Sequence, residues 1–223
     1  MKSSGGLPIT RRFAALSLTG ALGAVLFIPS IIFSAEPRPS IPQLVLFAGV
    51  VAVISAASAW FGLRCADAIA LPMPYLRRLD HGAEPQRENG FLIAIVFGVL
   101  FGLASITILR SLHLPNLAGP LWSRIASVFF AAGSLELVVH LLTMSLVVRI
   151  SLGRRWAGIV TSAILFVLFH AIGLSGQSVT VITLTLLMNG IFALGLGVIY
   201  ARYGFEYVLL SHAIGHVLAV TFA

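Results

Sequence analysis

Glu136, His140, His170, His212 and His216 are titratable side chains set in runs that are otherwise almost pure hydrocarbon. Glu136 is the one carboxylate in the middle of any such run, and four of the chain's six histidines accompany it. A charged group at bilayer depth costs about 3 kcal/mol or more, so it usually marks a pathway or a reaction site. A carboxylate in a low-dielectric pocket can serve as general base toward water. A neighbouring imidazole can share that proton or orient the water, and further imidazoles can stabilise a developing oxyanion. Such a set suits hydrolysis of an amide inside the membrane without a metal or cofactor. The same donors would also suit zinc, drawn from Glu136, His140, His170, His212 and His216. No HExxH is present; the spacings are ExxxH from Glu136 and HxxxH from His212. Two plainer roles compete with these: helix–helix glue for single histidines and a proton relay for the set.

Spacing gathers these residues. Glu136 and His140 are four apart, as are His212 and His216, and such pairs share a helix face. Counted from the inner helix ends, Glu136, His170 and His216 lie roughly 18–21 Å deep, and His140 and His212 roughly 12–14 Å. Three helices of alternating direction thus carry polar groups in two matching layers, which points to one site.

The elements that must position them follow from composition. Of 223 residues, 59% are hydrophobic and only 9% charged, whereas a soluble domain carries about 25% charged residues. Lipid is therefore the solvent. About 20 apolar residues cross a bilayer, which predicts an all-α polytopic protein with about seven transmembrane helices. The runs are approximately 13–34, 43–63, 91–109, 125–148, 156–174, 180–200 and 206–222. Residues 1–119 form the N-terminal helices with a polar inner loop at 64–90. Residues 120–223 form a four-helix core that holds the cluster. Pro29 is expected to kink the first span. Tyr75–Leu79, with Arg77 and Arg78 beside two leucines, suits a short interfacial helix. His81 and His113 fall in polar loops and read as solvated.

The net charge of +7 reports topology rather than a nucleic-acid partner. With the N-terminus inside, the inner segments carry Lys2, Arg11, Arg12, Arg64, Arg77, Arg78, Arg87, Arg149, Arg154, Arg155 and Arg202, and the outer ones only Arg38, Arg110 and Arg124. This alternation is that of the positive-inside rule. It predicts an integral membrane protein with its N-terminus inside and its C-terminus outside. The single Cys65 excludes an internal disulfide. Arg11-Arg12, an apolar run and Phe33-Ser34-Ala35 also fit a secretory signal or twin-arginine address, but the run is longer than a signal core. The expectation is an uncleaved first helix.

At the polar cluster the sequence resembles the CPBP family, the type II CAAX prenyl endopeptidases and bacteriocin-processing (Abi) membrane proteases. The resemblance covers roughly 120–223. That family's pattern is an EExxxR helix, an FxxxH helix and an HxxxN helix, in that order. Here FxxxH is Phe166 to His170, and the third part is His212-Ala-Ile-Gly-His216 with histidine in the last place. In the first part Leu135 stands for one glutamate, Glu136 for the other and His140 for the arginine. The resemblance implies Glu136 and His170 as the water-activating pair, His212 and His216 as oxyanion stabilisers, and His140 and Phe166 as supporting residues. It also implies a bacterial plasma membrane, membrane lipid as partner, and a substrate peptide that is prenylated or otherwise membrane-associated. A non-catalytic member acting as immunity factor, scaffold or regulator is the alternative that Leu135 raises. A rhomboid-type dyad of Ser175, in Gly173-Leu-Ser-Gly176, with His212 fits less well. Ser175 falls at an outer helix end, and His212 sits deep on the inner side.

Overall fold

The computed structural model describes residues 10–35, 37–81, 89–112, 119–174 and 176–222. These residues form helices and their connections, with no strand among them. The helices are α1 (Thr10–Ser34), α2 (Ile41–Ala68), α3 (Pro74–His81), α4 (Gly90–Ser111), α5 (Leu121–Ile150), α6 (Arg155–Ala171), α7 (Val179–Arg202) and α8 (Phe205–Phe222). The chain is thus an all-α protein. Among the described residues six helices are long and apolar enough to cross a membrane: α1, α2, α4, α5, α7 and α8. The expected fifth span is shorter. The 17 residues of α6 end at Ala171, and a single 3₁₀ turn, Ile172–Leu174, completes the stretch. These apolar helices are compatible with an integral membrane protein.

Local chemistry sets the helix ends. Gln43 accepts the Ser40 backbone N–H at 2.7 Å at the start of α2, and Ser178 Oγ accepts the Val181 N–H at 3.3 Å at the start of α7. Both satisfy donors that a helix N-terminus leaves free. Gly153 (φ 88°) closes the turn after α5, and Gly204 (φ 140°) separates α7 from α8. Such φ values favour a residue without a Cβ. Helix α1 runs through Pro29 without a break. Helix α2 extends to Ala68, past the expected end of its span, and the basic stretch beyond it forms α3.

Two features position the site. The first is close helix contact at small residues. A Cβ on Gly98 of α4 would stand 2.6 Å from the Ser211 carbonyl of α8, and one on Gly62 of α2 2.7 Å from the Leu141 side chain of α5. The second is the shape of α5. Its middle is wound as two π-helical stretches, Phe130–Leu135 and Leu137–Met144, with Glu136 between them. The bond from Thr143 Oγ1 to the Val138 carbonyl, 2.8 Å, spans five residues as that wider winding requires. π-helical turns are rare and occur frequently at functional sites.

The helices alternate in direction. At one end of the bundle Arg12 meets Asp67, Arg149 meets Cys65, Arg155 meets the Ala201 carbonyl and Glu206 meets the Leu76 amide. The opposite end holds Arg110 on the Phe222 carbonyl and the Phe33–Trp122 ring pair.

Candidate functional site

Glu136, His140 and His212 are fully buried, each with 0% exposure. They form one hydrogen-bonded unit across α5 and α8. His140 Nδ1 is hydrogen-bonded to Glu136 Oε2, and His212 Nδ1 to Glu136 Oε1. Both carboxylate oxygens are therefore occupied by imidazole. The local geometry of α5 supplies the first contact, because Glu136 and His140 lie one turn apart. The second depends on α8 lying against α4 with Gly98 under Ser211, the residue before His212.

The outer nitrogens of the two histidines differ. His140 Nε2 lies 3.4 Å from the Ala193 carbonyl of α7. His212 Nε2 is buried and has no hydrogen-bond partner among the described residues. Around the His212 imidazole stand three rings: Phe166 and Phe192, each at 5.5 Å between centroids, and His216 at 4.7 Å.

His170 lies beside this unit rather than in it. Its Nδ1 donates to the Phe166 carbonyl, one turn back on α6, at 2.9 Å. Its ring stacks on the Phe166 ring at 4.3 Å. Glu136 takes its hydrogen bonds from His140 and His212, so His170 makes none to the carboxylate. Phe166, fully buried, is the hub that touches His140, His170, Phe192 and His212. The two depth layers expected from the sequence are bridged by the Glu136–His212 contact. Side chains reach across what the axial spacing separates.

Two ring nitrogens, His140 Nδ1 and His212 Nδ1, point at the Glu136 carboxylate rather than with it toward a common point, whereas ligation needs the donors to converge. Among the described residues no group of three or more His, Cys, Asp or Glu could hold a metal ion. His113 and Ser175 lie outside the described residues, as does the side chain of His81.

Sequence reasoning missed four residues around the cluster. The Ala193 carbonyl has no side-chain signature. Tyr200 and Ser145 share a buried hydrogen bond of 2.9 Å between α7 and α5, and nothing in sequence spacing pairs them. Phe192 closes the other side of His212. It also lines a groove of about 350 Å³ between α4 and α7, with Phe97, Phe101 and Met188. Phe101 stacks directly on it at 3.5 Å. A single aromatic layer thus separates the buried imidazole from an apolar groove on the bundle surface.

No family model, no curated protein and no solved structure matches this chain.

Proposed function

We propose that the protein is an intramembrane endopeptidase of the CPBP type, hydrolysing a peptide bond in a membrane-associated or prenylated peptide. The observation that carries this reading is the Glu136–His140–His212 unit, with His216 and His170 beside it. One carboxylate and four imidazoles from three helices lie close together in a bundle whose core is mostly apolar. An ionised carboxylate hydrogen-bonded to imidazole is a standard means of handling a proton from water. A buried site strengthens any stabilisation of a tetrahedral oxyanion. On this reading the basic end of the bundle faces the bacterial cytoplasm, as the positive-inside rule requires.

The test is cleavage in reconstituted liposomes, using prenylated and leader-type peptides. Glu136→Gln lowers turnover at least about 100-fold, the lower range for loss of acid–base catalysis, measured on protein that still purifies as a folded species. Turnover equal to wild type in that variant overturns the assignment.

One observation favours a second reading, a non-catalytic CPBP-like membrane protein. Glu136 is sealed from both water and lipid, and both of its oxygens are occupied. Under this reading the wild type cleaves none of the peptides, and Glu136→Gln acts only by weakening the packing of α5 on α8.

A further inference from the structure

We propose that the turn between α5 and α6 docks on anionic phospholipid, with Arg154, Arg155 and Arg202 on the headgroup phosphates and Leu152 and Trp156 in the lipid beneath them. The proposal is independent of the hydrolytic reading.

The turn displays apolar side chains that a chain in water would hide. Ile150, Leu152 and Trp156 are 69%, 94% and 67% exposed. Leu152 also has φ 56°, and Gly153 follows with φ 88°. The Gly153 amide closes the turn on the Val148 carbonyl at 2.8 Å. A bulky residue at positive φ is an outlier, and such strain persists only where the surrounding structure imposes it. Here α5 and α6 are pressed together up to the turn. A Cβ on Gly158 would stand 2.5 Å from the Val148 side chain and 2.8 Å from the Met144 carbonyl. Leu152 projects from the end of that contact. Strain and exposure are both unfavourable in water, and burial of the leucine in lipid offsets them.

Charge names the partner. Between Glu136 and Glu206 the sequence has no acidic residue, yet it carries Arg149, Arg154, Arg155 and Arg202, all exposed. Arg149 turns to Cys65. Arg155 donates to the Ala201 carbonyl at 3.0 Å, so the end of α7, with Arg202, lies beside the turn. The two carboxylates described at this end of the bundle are engaged elsewhere. Asp67 holds Arg12 and Arg77, and Glu206 accepts the Leu76 amide. Phosphate complements the arginines that remain, because a guanidinium fork matches its oxygens. Exposed apolar side chains beside basic ones suit the membrane interface, where tryptophan is enriched. A nucleic acid would use the arginines but leave Ile150 and Leu152 in water. The turn ends α5, which carries Glu136, and begins α6, which carries His170. Lipid docked there fixes the depth of both helices.

The test is phosphatidylglycerol titrated into the full chain in a neutral detergent, read by native mass spectrometry and by thermal midpoint. The expected result is binding at least about tenfold tighter than that of phosphatidylcholine, with a raised midpoint for the anionic lipid alone. One basic residue near an anionic surface is worth about fivefold. Arg154→Gln therefore weakens phosphatidylglycerol binding about fivefold, and the same change at Arg154, Arg155 and Arg202 together about 100-fold. If the triple variant does not fold, Arg154→Gln decides. Leu152→Asn tolerates the left-handed backbone, so the midpoint without lipid does not fall, yet phosphatidylglycerol binding weakens. With Trp60→Phe and Trp122→Phe in place, brominated acyl chains in nanodiscs quench the emission of Trp156. Equal binding of the two lipids, full binding in Arg154→Gln, or emission that the bromines leave unchanged overturns the proposal. Displacement of the lipid by an oligonucleotide assigns the turn to nucleic acid and also overturns it. So does a dimer that forms without lipid and is lost in Leu152→Asn, which assigns the turn to a second copy of the chain.

Discussion

Arg12 is only 3% exposed, and both of its terminal nitrogens bond to the Asp67 carboxylate, at 2.9 and 2.8 Å. Arg77 adds a weaker contact to the same carboxylate at 3.7 Å. This fork joins α1 to the end of α2 where apolar packing gives way to polar ends. Removing one partner of a buried pair costs about 3–5 kcal/mol. The Asp67 side chain is 32% exposed, so screening reduces that cost. Asp67→Asn therefore destabilises the protein by about 2 kcal/mol, read as a lower thermal midpoint in detergent. Arg12→Lys keeps the charge but loses the planar fork, and gives a smaller loss. Neither change touches Glu136 or its histidines. Both residues were visible in the sequence, Arg12 as a basic inner residue and Asp67 in the polar stretch after the second span. Their pairing was not, because 55 residues separate them.

At the scale of the helix, small residues and winding decide where the titratable groups point. A Cβ on Gly98 would press on the Ser211 carbonyl at 2.6 Å, so Gly98→Ala forces α8 away from α4. Overpacking of this kind costs about 1–3 kcal/mol. Displacing His212 from Glu136 by even about 1 Å would cost about 100-fold in turnover. Gly49→Ala is the control: nothing stands within 4 Å of its added Cβ, so cleavage stays at the wild-type value and stability does not fall. Thermal unfolding and the liposome assay together check both. The apolar run expected at 125–148 does lie inside one helix, Leu121–Ile150. Its π-helical winding left no trace in the sequence, because hydrophobic residues fill a wide turn as readily as a narrow one.

Over the whole molecule, charge and direction agree. The contacts of Arg12, Arg77, Arg149 and Arg155 all fall at one end of the bundle, as alternating helices require. Cys65 is the chain's one cysteine, so single-cysteine variants in a Cys65→Ser background map the sidedness. With the N-terminus inside, Arg154→Cys reacts with an impermeant thiol reagent only after the membrane is opened. Gln177→Cys reacts in intact cells. The reverse pattern overturns that topology.

The sequence by itself determined the solvent, the helical class and the residues that carry an electrostatic cost. Each follows from composition and run length, which do not depend on the neighbours of a helix. It also brought Glu136 near His140, because one helix fixes residues four apart. Tertiary structure decided that His212 is the second partner of Glu136, while His170 turns to the carbonyl of Phe166. The reason is rotational. A helix with apolar residues on every side carries no mark of which face meets a neighbour. Packing at positions such as Gly98 and Gly62 sets that angle, and with it the imidazole that reaches the carboxylate.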